Sequence, residues 1–394
     1  MMKKVLSLLL ALGVTVSMSA CGSSGSASSG ATSSAAASSE AGSSETASTS
    51  SAAGGSSDIY PGMCFWHDDD PKPDTNVKIT STDKIKWTIA ACLVEDNPQS
   101  VCLKEIADDL SKATNGNFTW DIYYNSNLGS ESEALELVRN NTAQFVTSNV
   151  TTVPQYVDTI GVFALPYLFH SEQDELTYLS TSKDCFALWK QLEDSSNLVT
   201  LGFNCSGSRC LSTKGYKQIK APADLKGCKV RCMEAQVWKD VISALGATPV
   251  PTAYTELYTA LQTGVVQGQD NPASNTVDGK FYEVLDTFYK TNHCYLCSGY
   301  YTNTESWKAL PDDYKALLEG LMNKYLANDY HTRISAFTDQ CYQTMEKANV
   351  KIVEQDQLDM QAFYDNASKM IDEKYMSNKK YADIINDIKT TFKY

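Results

Sequence analysis

The spacing of apolar residues predicts alternating strands and helices in the first part of the folded chain. Strands are predicted over 86–92, 118–124 and 144–148, where apolar and polar positions alternate or apolar residues run together. Amphipathic helices are predicted over 100–114 and 130–140. This β-α-β-α-β order indicates a parallel or mixed sheet covered by helices on both faces. Ligands of such sheets bind at the carboxyl ends of the strands.

The same alternation continues in the middle of the chain and gives way to helix near the end. Two helices, over 171–180 and 182–192, precede a strand over 199–204, and a second β/α unit begins near Arg209. That unit is predicted to contain a strand over 229–231, helices over 235–245 and 254–263, and an extended segment over 248–251. A single helical run is predicted from 311 to 349, long enough to reach across two lobes.

The first 81 residues have a different character. Lys3 and Lys4 precede an apolar stretch of signal-peptide length, so residues 1–20 are predicted to be a secretory signal peptide. Cys21 follows Met18-Ser19-Ala20 in a pattern that resembles a bacterial lipobox, which implies lipidation of Cys21 and anchoring to the outer face of a membrane. The alternative is ordinary signal cleavage. Residues 21–81 are predicted to form a tether rich in Ser, Ala and Gly, with an irregular lead-in from 58.

Charge and composition narrow the classes of partner. The chain carries a formal net charge of −14, which argues against binding nucleic acid or docking on anionic lipid. An anionic small ligand remains compatible, because its binding depends on the local field inside a cleft. No second apolar run of membrane-spanning length follows the signal peptide.

Twelve cysteines leave an odd number after Cys21. Close pairs could form disulfides in an oxidising compartment; they are Cys205 with Cys210, Cys228 with Cys232, and Cys294 with Cys297. The spacing of the last pair, after His293, also suggests zinc or redox chemistry, but in a strand these two side chains would point to opposite faces. The favoured interpretation is that the cysteines are small apolar packing residues.

Arginine is rare, which draws attention to where it occurs. Of 33 lysines and arginines only four are arginines, and two of them, Arg209 and Arg231, lie in the stretch 207–272. A guanidinium binds a carboxylate in a bidentate manner that lysine cannot reproduce. The alternative for Arg231 is a structural salt bridge to Glu234, Asp224 or Glu256.

Several motifs, in order, resemble the solute-binding subunits of TRAP (tripartite ATP-independent periplasmic) transporters over roughly 85–370. They are Asn127-Leu-Gly129 with Glu133-Ala-Leu-Glu-Leu137; Phe163-Ala-Leu-Pro-Tyr-Leu-Phe169; Leu225-Lys-Gly-Cys-Lys-Val-Arg231; Gly246-Ala-Thr-Pro-Val-Pro251; Tyr254; Glu256-Leu-Tyr258; Ala260-Leu-Gln262; Gly264-Val-Val266; Gly268-Gln-Asp-Asn-Pro272; Thr291-Asn-His293; and Trp307 with Leu310-Pro311. Each match alone is weak, and their order and spacing make the resemblance specific.

The resemblance implies a two-lobed α/β clamshell, like a periplasmic binding protein, with a long C-terminal helix crossing both lobes. The first lobe is expected to comprise residues 82–208 with about 297–336. The second is expected to comprise 209–296 with about 337–394. The implied function is an extracytoplasmic receptor that closes on a small organic acid and delivers it to the small and large TRAP membrane subunits.

The resemblance also assigns ligand contacts residue by residue. Arg231 corresponds to the arginine that binds the ligand carboxylate, and Asn271 to an amide that hydrogen-bonds the same group. Arg209 corresponds to a second arginine of some members, and Tyr254 to an aromatic wall. For Asn271 the alternative is a turn before Pro272, and for Tyr254 it is the apolar core.

Two further contacts are expected at the other end of the ligand. Asn149 corresponds to a polar position that contacts the rest of the ligand, and Glu95 is a further candidate. Some acid-sugar receptors have a glutamate at the position of Asn149 and an arginine nearby, whereas this chain has Asn149 and Thr152. That departure argues against a ligand resembling sialic acid.

Enzyme motifs are missing from the sequence, and we expect neither catalysis nor a cofactor. The chain has no Gly-x-Ser-x-Gly, Gly-x-Gly-x-x-Gly, Walker or His-Glu-x-x-His motif. His293 is expected to be a strand histidine with its hydrogen bonds satisfied. The remaining alternative within binding proteins is a lipoprotein receptor for another importer or for a sensor kinase.

Overall fold

The structure is a computed structural model that describes residues 75–394, so the predictions for the signal peptide, Cys21 and most of the tether lie outside the described residues. Within that range, nine strands form one mixed sheet. They are β1 (Ile85–Ala91), β2 (Phe118–Tyr123), β3 (Phe145–Asn149), β4 (Leu198–Thr213), β5 (Lys229–Cys232), β6 (Thr248–Pro251), β7 (Gly268–Asn271), β8 (Thr287–Asn303) and β9 (Lys351–Val353).

Helices cover the sheet, and their ends follow local sequence signals. They are α1 (Pro98–Ala113), α2 (Glu131–Arg139), α3 (Glu172–Thr181), α4 (Lys183–Ser196), α5 (Gln236–Ala244), α6 (Leu257–Thr263), α7 (Ala273–Asp278), α8 (Thr304–Ala309), α9 (Asp312–Met322), α10 (Tyr330–Lys347), α11 (Met360–Lys374) and α12 (Lys379–Phe392). Ser130 and Glu133 form a capping box at the start of α2. Gly264 ends α6 in the left-handed conformation, at φ 76°.

Strand order divides the sheet into two halves joined by two long strands. The order is β2-β1-β3-β8-β4-β7-β5-β6, with β9 added beside β8. β1, β2 and β3 are parallel in one half, and β5, β6 and β7 are parallel in the other. β4 and β8 are antiparallel to each other and run through both halves. This arrangement confirms the predicted two-lobed α/β class.

The joining strands are much longer than the sequence predicted. Only 199–204 was expected as strand where β4 spans Leu198–Thr213. The register between β4 and β8 shifts between Cys205 and Ser208. A bulge adds an unpaired residue and bends the strand, so it interrupts the alternation on which the prediction rested. The predicted lobe boundaries, at 208/209 and 296/297, remain a prediction and fall beside this bulge.

The long C-terminal helical run is present, with one irregularity. α9 and α10 are continuous through a π-helical segment, Asn323–Asp329, so the run extends from Asp312 to Lys347 where 311–349 was predicted. α10 contacts α1 beside one half of the sheet and α7 and β9 beside the other. It therefore spans both halves, as expected.

The packed part of the chain begins before residue 82. Val77 and Ile79 lie against the apolar cluster around Trp87 and Tyr314. The backbone N–H groups of Thr80 and Ser81 donate to Asp313 Oδ2 at 2.7 and 2.8 Å. The end of the predicted tether thus belongs to the folded domain. None of the helices in residues 75–394 combines the length and the apolar character needed to cross a membrane.

Candidate ligand-binding site

A cavity of about 400 Å³ lies between the two halves of the sheet. Five of the six predicted contacts line it: Asn149, Arg209, Arg231, Tyr254 and Asn271. Asn149 is the last residue of β3, and Asn271 is the last residue of β7. The carboxyl ends of parallel strands from both halves therefore meet at the cavity, where ligands of such sheets bind.

Arg231 is buried in the wall of the cavity without an anionic partner. Its residue is 3% exposed, and its Nε donates to the carbonyl oxygen of Thr252 at 2.8 Å. No carboxylate of residues 75–394 lies within salt-bridge distance of it, so the salt bridges considered with Glu234, Asp224 and Glu256 do not form. Burial and the nearby Arg209 charge lower the pKa of the Arg231 guanidinium.

Arg209 lines the same cavity, but its charge is balanced by a buried salt bridge to Asp270. Its Nε donates to Asp270 Oδ2 at 2.7 Å and its Nη2 to the Asp270 carbonyl oxygen at 2.6 Å. The guanidinium carbon lies 4.3 Å from the centroid of the Trp238 ring, which is a cation–π contact. Arg209 therefore keeps only part of its hydrogen-bonding capacity for a ligand.

Asp270 and His293 complete a buried polar network behind Arg209. His293 Nε2 lies 3.2 Å from Asp270 Oδ2, and His293 Nδ1 lies 3.0 Å from Thr291 Oγ1. Burial raises the pKa of Asp270, but Arg209 and His293 outweigh burial and bring it to about 2. Burial lowers the pKa of His293, so the imidazole is neutral at pH 7. His293 is the satisfied strand histidine that was expected.

Asn271 and Tyr254 are held by hydrogen bonds within their own half. Asn271 Nδ2 donates to Gln269 Oε1 at 2.5 Å, which leaves its carbonyl oxygen and second N–H. The Tyr254 hydroxyl donates to the Asn275 carbonyl oxygen at 2.8 Å, and its ring packs edge-on against Phe281. Tyr254 presents its ring to the cavity while its hydroxyl is tied to α7.

Asn149 is fixed by the turn that follows β3. Its Oδ1 accepts hydrogen bonds from the backbone N–H of Thr151, at 2.8 Å, and from Thr151 Oγ1. Thr151 Oγ1 in turn accepts from the Trp238 indole N–H at 3.0 Å. The ring beneath Arg209 is thereby connected to Asn149 across the cavity.

Glu131 is a cavity residue that the sequence interpretation missed. It is the first residue of α2, half-buried, and its Oε2 accepts from Thr152 Oγ1 at 2.8 Å. Burial raises its pKa, while Thr152, Arg231 and the Asn149 backbone N–H oppose that shift. The available signal was its place at the start of the helix that follows the carboxyl end of β2.

Glu95 is not part of this site. It is exposed in the turn between β1 and α1 and does not line the cavity. The ten cysteines of residues 75–394 are all buried and unpaired, so the disulfides considered for the close pairs are not formed in this structure. Within the same residues, no group of three or more His, Cys, Asp or Glu side chains is arranged to hold a metal ion.

A cleft between two halves of a sheet, with a buried unpaired arginine in its wall, defines a clamshell ligand-binding protein. Residues 89–378 match the family described as bacterial extracellular solute-binding protein, family 7 (DctP), and the chain belongs to that family. This confirms the resemblance to the TRAP solute-binding subunits. The family is one of substrate-binding receptors.

Individual relatives support the same assignment. The C4-dicarboxylate-binding periplasmic protein DctP of Rhodobacter capsulatus is 31% identical over 241 residues, which is 61% of this chain and 71% of that protein. The C4-dicarboxylate-binding protein DctB of Bacillus subtilis is 27% identical over 245 residues, 61% of this chain and 68% of its own length.

A solved structure shows the same fold. The TRAP periplasmic solute-binding protein of Chromohalobacter salexigens, with bound D-glucuronate, superposes with a TM-score of 0.72. Its sequence is 24% identical to this chain, and the alignment covers 77% of this chain and 99% of the other.

Proposed function

We propose that this receptor captures a small organic acid and that Arg231 binds the carboxylate of that acid. The observation that carries the proposal is the buried guanidinium of Arg231, which faces a cavity of about 400 Å³ and has no carboxylate of residues 75–394 beside it. A buried charge without a partner is costly. A ligand carboxylate removes that cost, and charge-assisted hydrogen bonds add about 1.5–3 kcal/mol each.

Neighbouring groups support the same role for the carboxylate end of the cavity. Asn271 retains a free N–H that can donate to the second carboxylate oxygen. Arg209 contributes positive potential, although Asp270 offsets much of it. Tyr254 and Asn149 both line the cavity. On this proposal, Tyr254 supplies an apolar wall and Asn149 contacts the rest of the ligand. Glu95 has no part in this proposal.

The bound acid is delivered, on this proposal, to the small and large TRAP membrane subunits after the lobes close. We propose that the hinge lies near the predicted lobe limits at 208/209 and 296/297, and the register shift in β4 between Cys205 and Ser208 supports that position. Membership of the family supports transport, and the match to relatives that bind C4-dicarboxylates supports an acid as cargo. The cargo is released unchanged, since the family consists of receptors.

We further propose that the chain works outside the cell membrane on a lipid anchor. Support comes from the apolar stretch after Lys3 and Lys4, from the lipobox-like residues before Cys21, and from the Ser/Ala/Gly-rich segment that follows. Globomycin-sensitive processing and labelling of Cys21 by a palmitate analogue in the producing cells test this part. An unlabelled Cys21→Ser variant is the control.

Thermal unfolding in the presence of a panel of organic acids tests the receptor function. A ligand at 100 times its Kd stabilises the native state by about 2.7 kcal/mol, which shifts Tm by several degrees. We expect at least one carboxylic acid to produce such a shift, whereas the corresponding primary alcohols and amides do not. If no acid on the panel shifts Tm, and none is released when the purified protein is denatured, the proposal is wrong.

A further inference from the structure

We infer that the ligand carries a single carboxylate, and that its other end presents hydrogen-bond donors to Glu131. The inference rests on the proposed function and specifies its substrate class. It separates this protein from receptors for dicarboxylates, because a second carboxylate would meet an acidic wall. The end of the ligand that contacts Glu131 must therefore carry an O–H or N–H donor.

The charges that line the cavity carry this argument. Among the described residues that line it, two are positively charged, Arg209 and Arg231, and none is a lysine. The acidic lining residues are Glu131, Asp158 and Glu234. The cation of Arg209 is balanced by Asp270 behind it. Among the lining cations of residues 75–394, Arg231 alone has no carboxylate at salt-bridge distance, and its charge acts on Glu131 only from further away.

Glu131 supplies hydrogen-bond acceptors to the cavity. One of its oxygens, Oε2, accepts the Thr152 hydroxyl at 2.8 Å, and the residue stands at the amino terminus of α2, where the helix dipole favours an anion. An ionised carboxylate is only an acceptor, and two oxygens offer about four sites. The remaining sites of Glu131 are therefore matched by a donor on the ligand.

A second ligand carboxylate has no comparable place. It would be desolvated beside Glu131, and no second cation without a carboxylate partner lines the cavity among residues 75–394. Like charges held close together in an interface are strongly unfavourable. Asp158 and Glu234 are exposed residues of the lining and add to the same negative potential. Ser126 lines the cavity, and its hydroxyl donates to the Cys92 carbonyl oxygen, so its oxygen can still accept from a ligand hydroxyl.

Two pairs of acids that differ at one terminal carbon test the inference by titration calorimetry. D-Gluconate and D-glucarate differ only in a terminal CH₂OH against a carboxylate, and D-erythronate and meso-tartrate differ in the same way at a shorter length. We expect the single-carboxylate member of at least one pair to bind about 30-fold or more tightly than its dicarboxylate partner. Equal or tighter binding of both dicarboxylates overturns the inference and leaves the organic-acid receptor intact.

A third ligand, 6-amino-6-deoxy-D-gluconate, tests whether the group that contacts Glu131 is an ammonium or a hydroxyl. Tighter binding than gluconate assigns an ammonium to the Glu131 end, and weaker binding assigns a hydroxyl. If neither these acids nor any acid on the broader panel binds, the proposed function fails as well, so the two failures are distinguishable.

The variant Glu131→Gln keeps the shape of the side chain and removes its charge. We expect gluconate affinity to fall about 5- to 30-fold and the gap between gluconate and glucarate to narrow. Glu305→Gln, which removes an exposed first-turn carboxylate from α8 outside the cavity, is the matched control and leaves both affinities unchanged. An unchanged gluconate-to-glucarate ratio in Glu131→Gln overturns the role of Glu131.

Discussion

At the residue scale, the two cavity arginines show how tertiary partners give different roles to two residues of the same type. The rarity of arginine and the family motifs pointed to both Arg209 and Arg231. Only the fold shows that Arg209 is bonded to Asp270, while Arg231 has a backbone carbonyl as its hydrogen-bond acceptor. A partner 61 positions away in the chain cannot be assigned from local pattern, because the pairing depends on β4 lying beside β7.

Glu131 was missed for a related reason. Periodicity assigned it to a helix, and a first-turn glutamate is normally explained by the helix dipole alone. Its side chain becomes part of the site only because the 3₁₀-helical turn after β3, which contains Thr152, brings a hydrogen-bond donor to it. Five residues expected from the motifs line the cavity, whereas Glu131 could be assigned to it only from the three-dimensional arrangement.

Asp270→Asn tests the buried network at this scale. Removing the charge leaves Arg209 buried without its counter-ion, and we expect the free energy of unfolding to fall by roughly 3–5 kcal/mol at pH 7. Urea unfolding provides the measurement, with Asp339→Asn as an exposed control on α10. A loss below about 0.5 kcal/mol, the usual range for a surface substitution, would contradict the account.

The pH dependence of that difference has a definite direction. The pKa of Asp270 is about 2 in the folded protein, below its ordinary value of 3.8. The stabilisation by its ionised form is therefore fully present above pH 4 and is lost as the pH falls toward 2. The difference in free energy of unfolding between wild type and Asp270→Asn should therefore decrease as the pH falls from 4 to 2.

At the scale of elements, the strands and helices that were predicted well are those with uninterrupted patterns. β1, α1, β2, α2 and β3 agree with the predicted segments to within a few residues. β4 and β8 did not follow from the sequence at full length, because polar residues such as Asn204, Ser206 and Thr291 interrupt the apolar pattern. Those residues are tolerated because the neighbouring elements bury and bond them, as Tyr330 does for Ser206.

A partly buried hydrogen bond links the start of α1 to the end of α7: Nδ2 of Asn97, the N-cap of α1, donates to Asp278 Oδ2 at 2.6 Å. Burial raises the pKa of Asp278 to about 6, and the bond from Asn97 opposes that shift. α1 packs on β2 and α7 packs on β4 and β7, so this bond joins elements from the two halves of the sheet.

Asp278→Asn should stabilise the protein at neutral pH. The amide keeps an acceptor for Asn97 and removes the cost of a buried charge, so we expect a gain of about 1–3 kcal/mol at pH 7.5. Because the folded pKa is raised, the wild type loses stability as the pH rises from about 4 to about 6, and the gain from the variant should disappear below that interval.

Urea unfolding at pH 4 and pH 7.5 measures this difference. Asp312→Asn, whose side chain is fully exposed in α9, is the control and should have no effect at either pH. A variant that is less stable than wild type at pH 7.5 would show that the ionised carboxylate is needed for the contact between α1 and α7.

At the scale of the whole molecule, a single sheet is shared by two lobes and the ligand cavity lies between them. β4 and β8 pass through both halves, and the helical run from Asp312 to Lys347 reaches both as well. Continuous strands with a bulge permit bending without separation of the halves. The two-lobed class followed from the sequence, but the sharing of one sheet did not, because it depends on two strands whose full length was not predicted.

The central claim is that Arg231 binds the carboxylate of the ligand, and calorimetry of Arg231→Ala with the acid found by the panel tests it most directly. The account predicts a loss of about 2–5 kcal/mol, or 30- to 5,000-fold in Kd. The affinity of Arg231→Lys should lie between those of wild type and Arg231→Ala, because lysine keeps the charge but cannot bind a carboxylate in a bidentate manner. Arg139→Ala, outside the cavity on α2, should bind as wild type does. An Arg231→Ala affinity within about threefold of wild type would contradict the account, since a buried charge partner costs far more than that to remove.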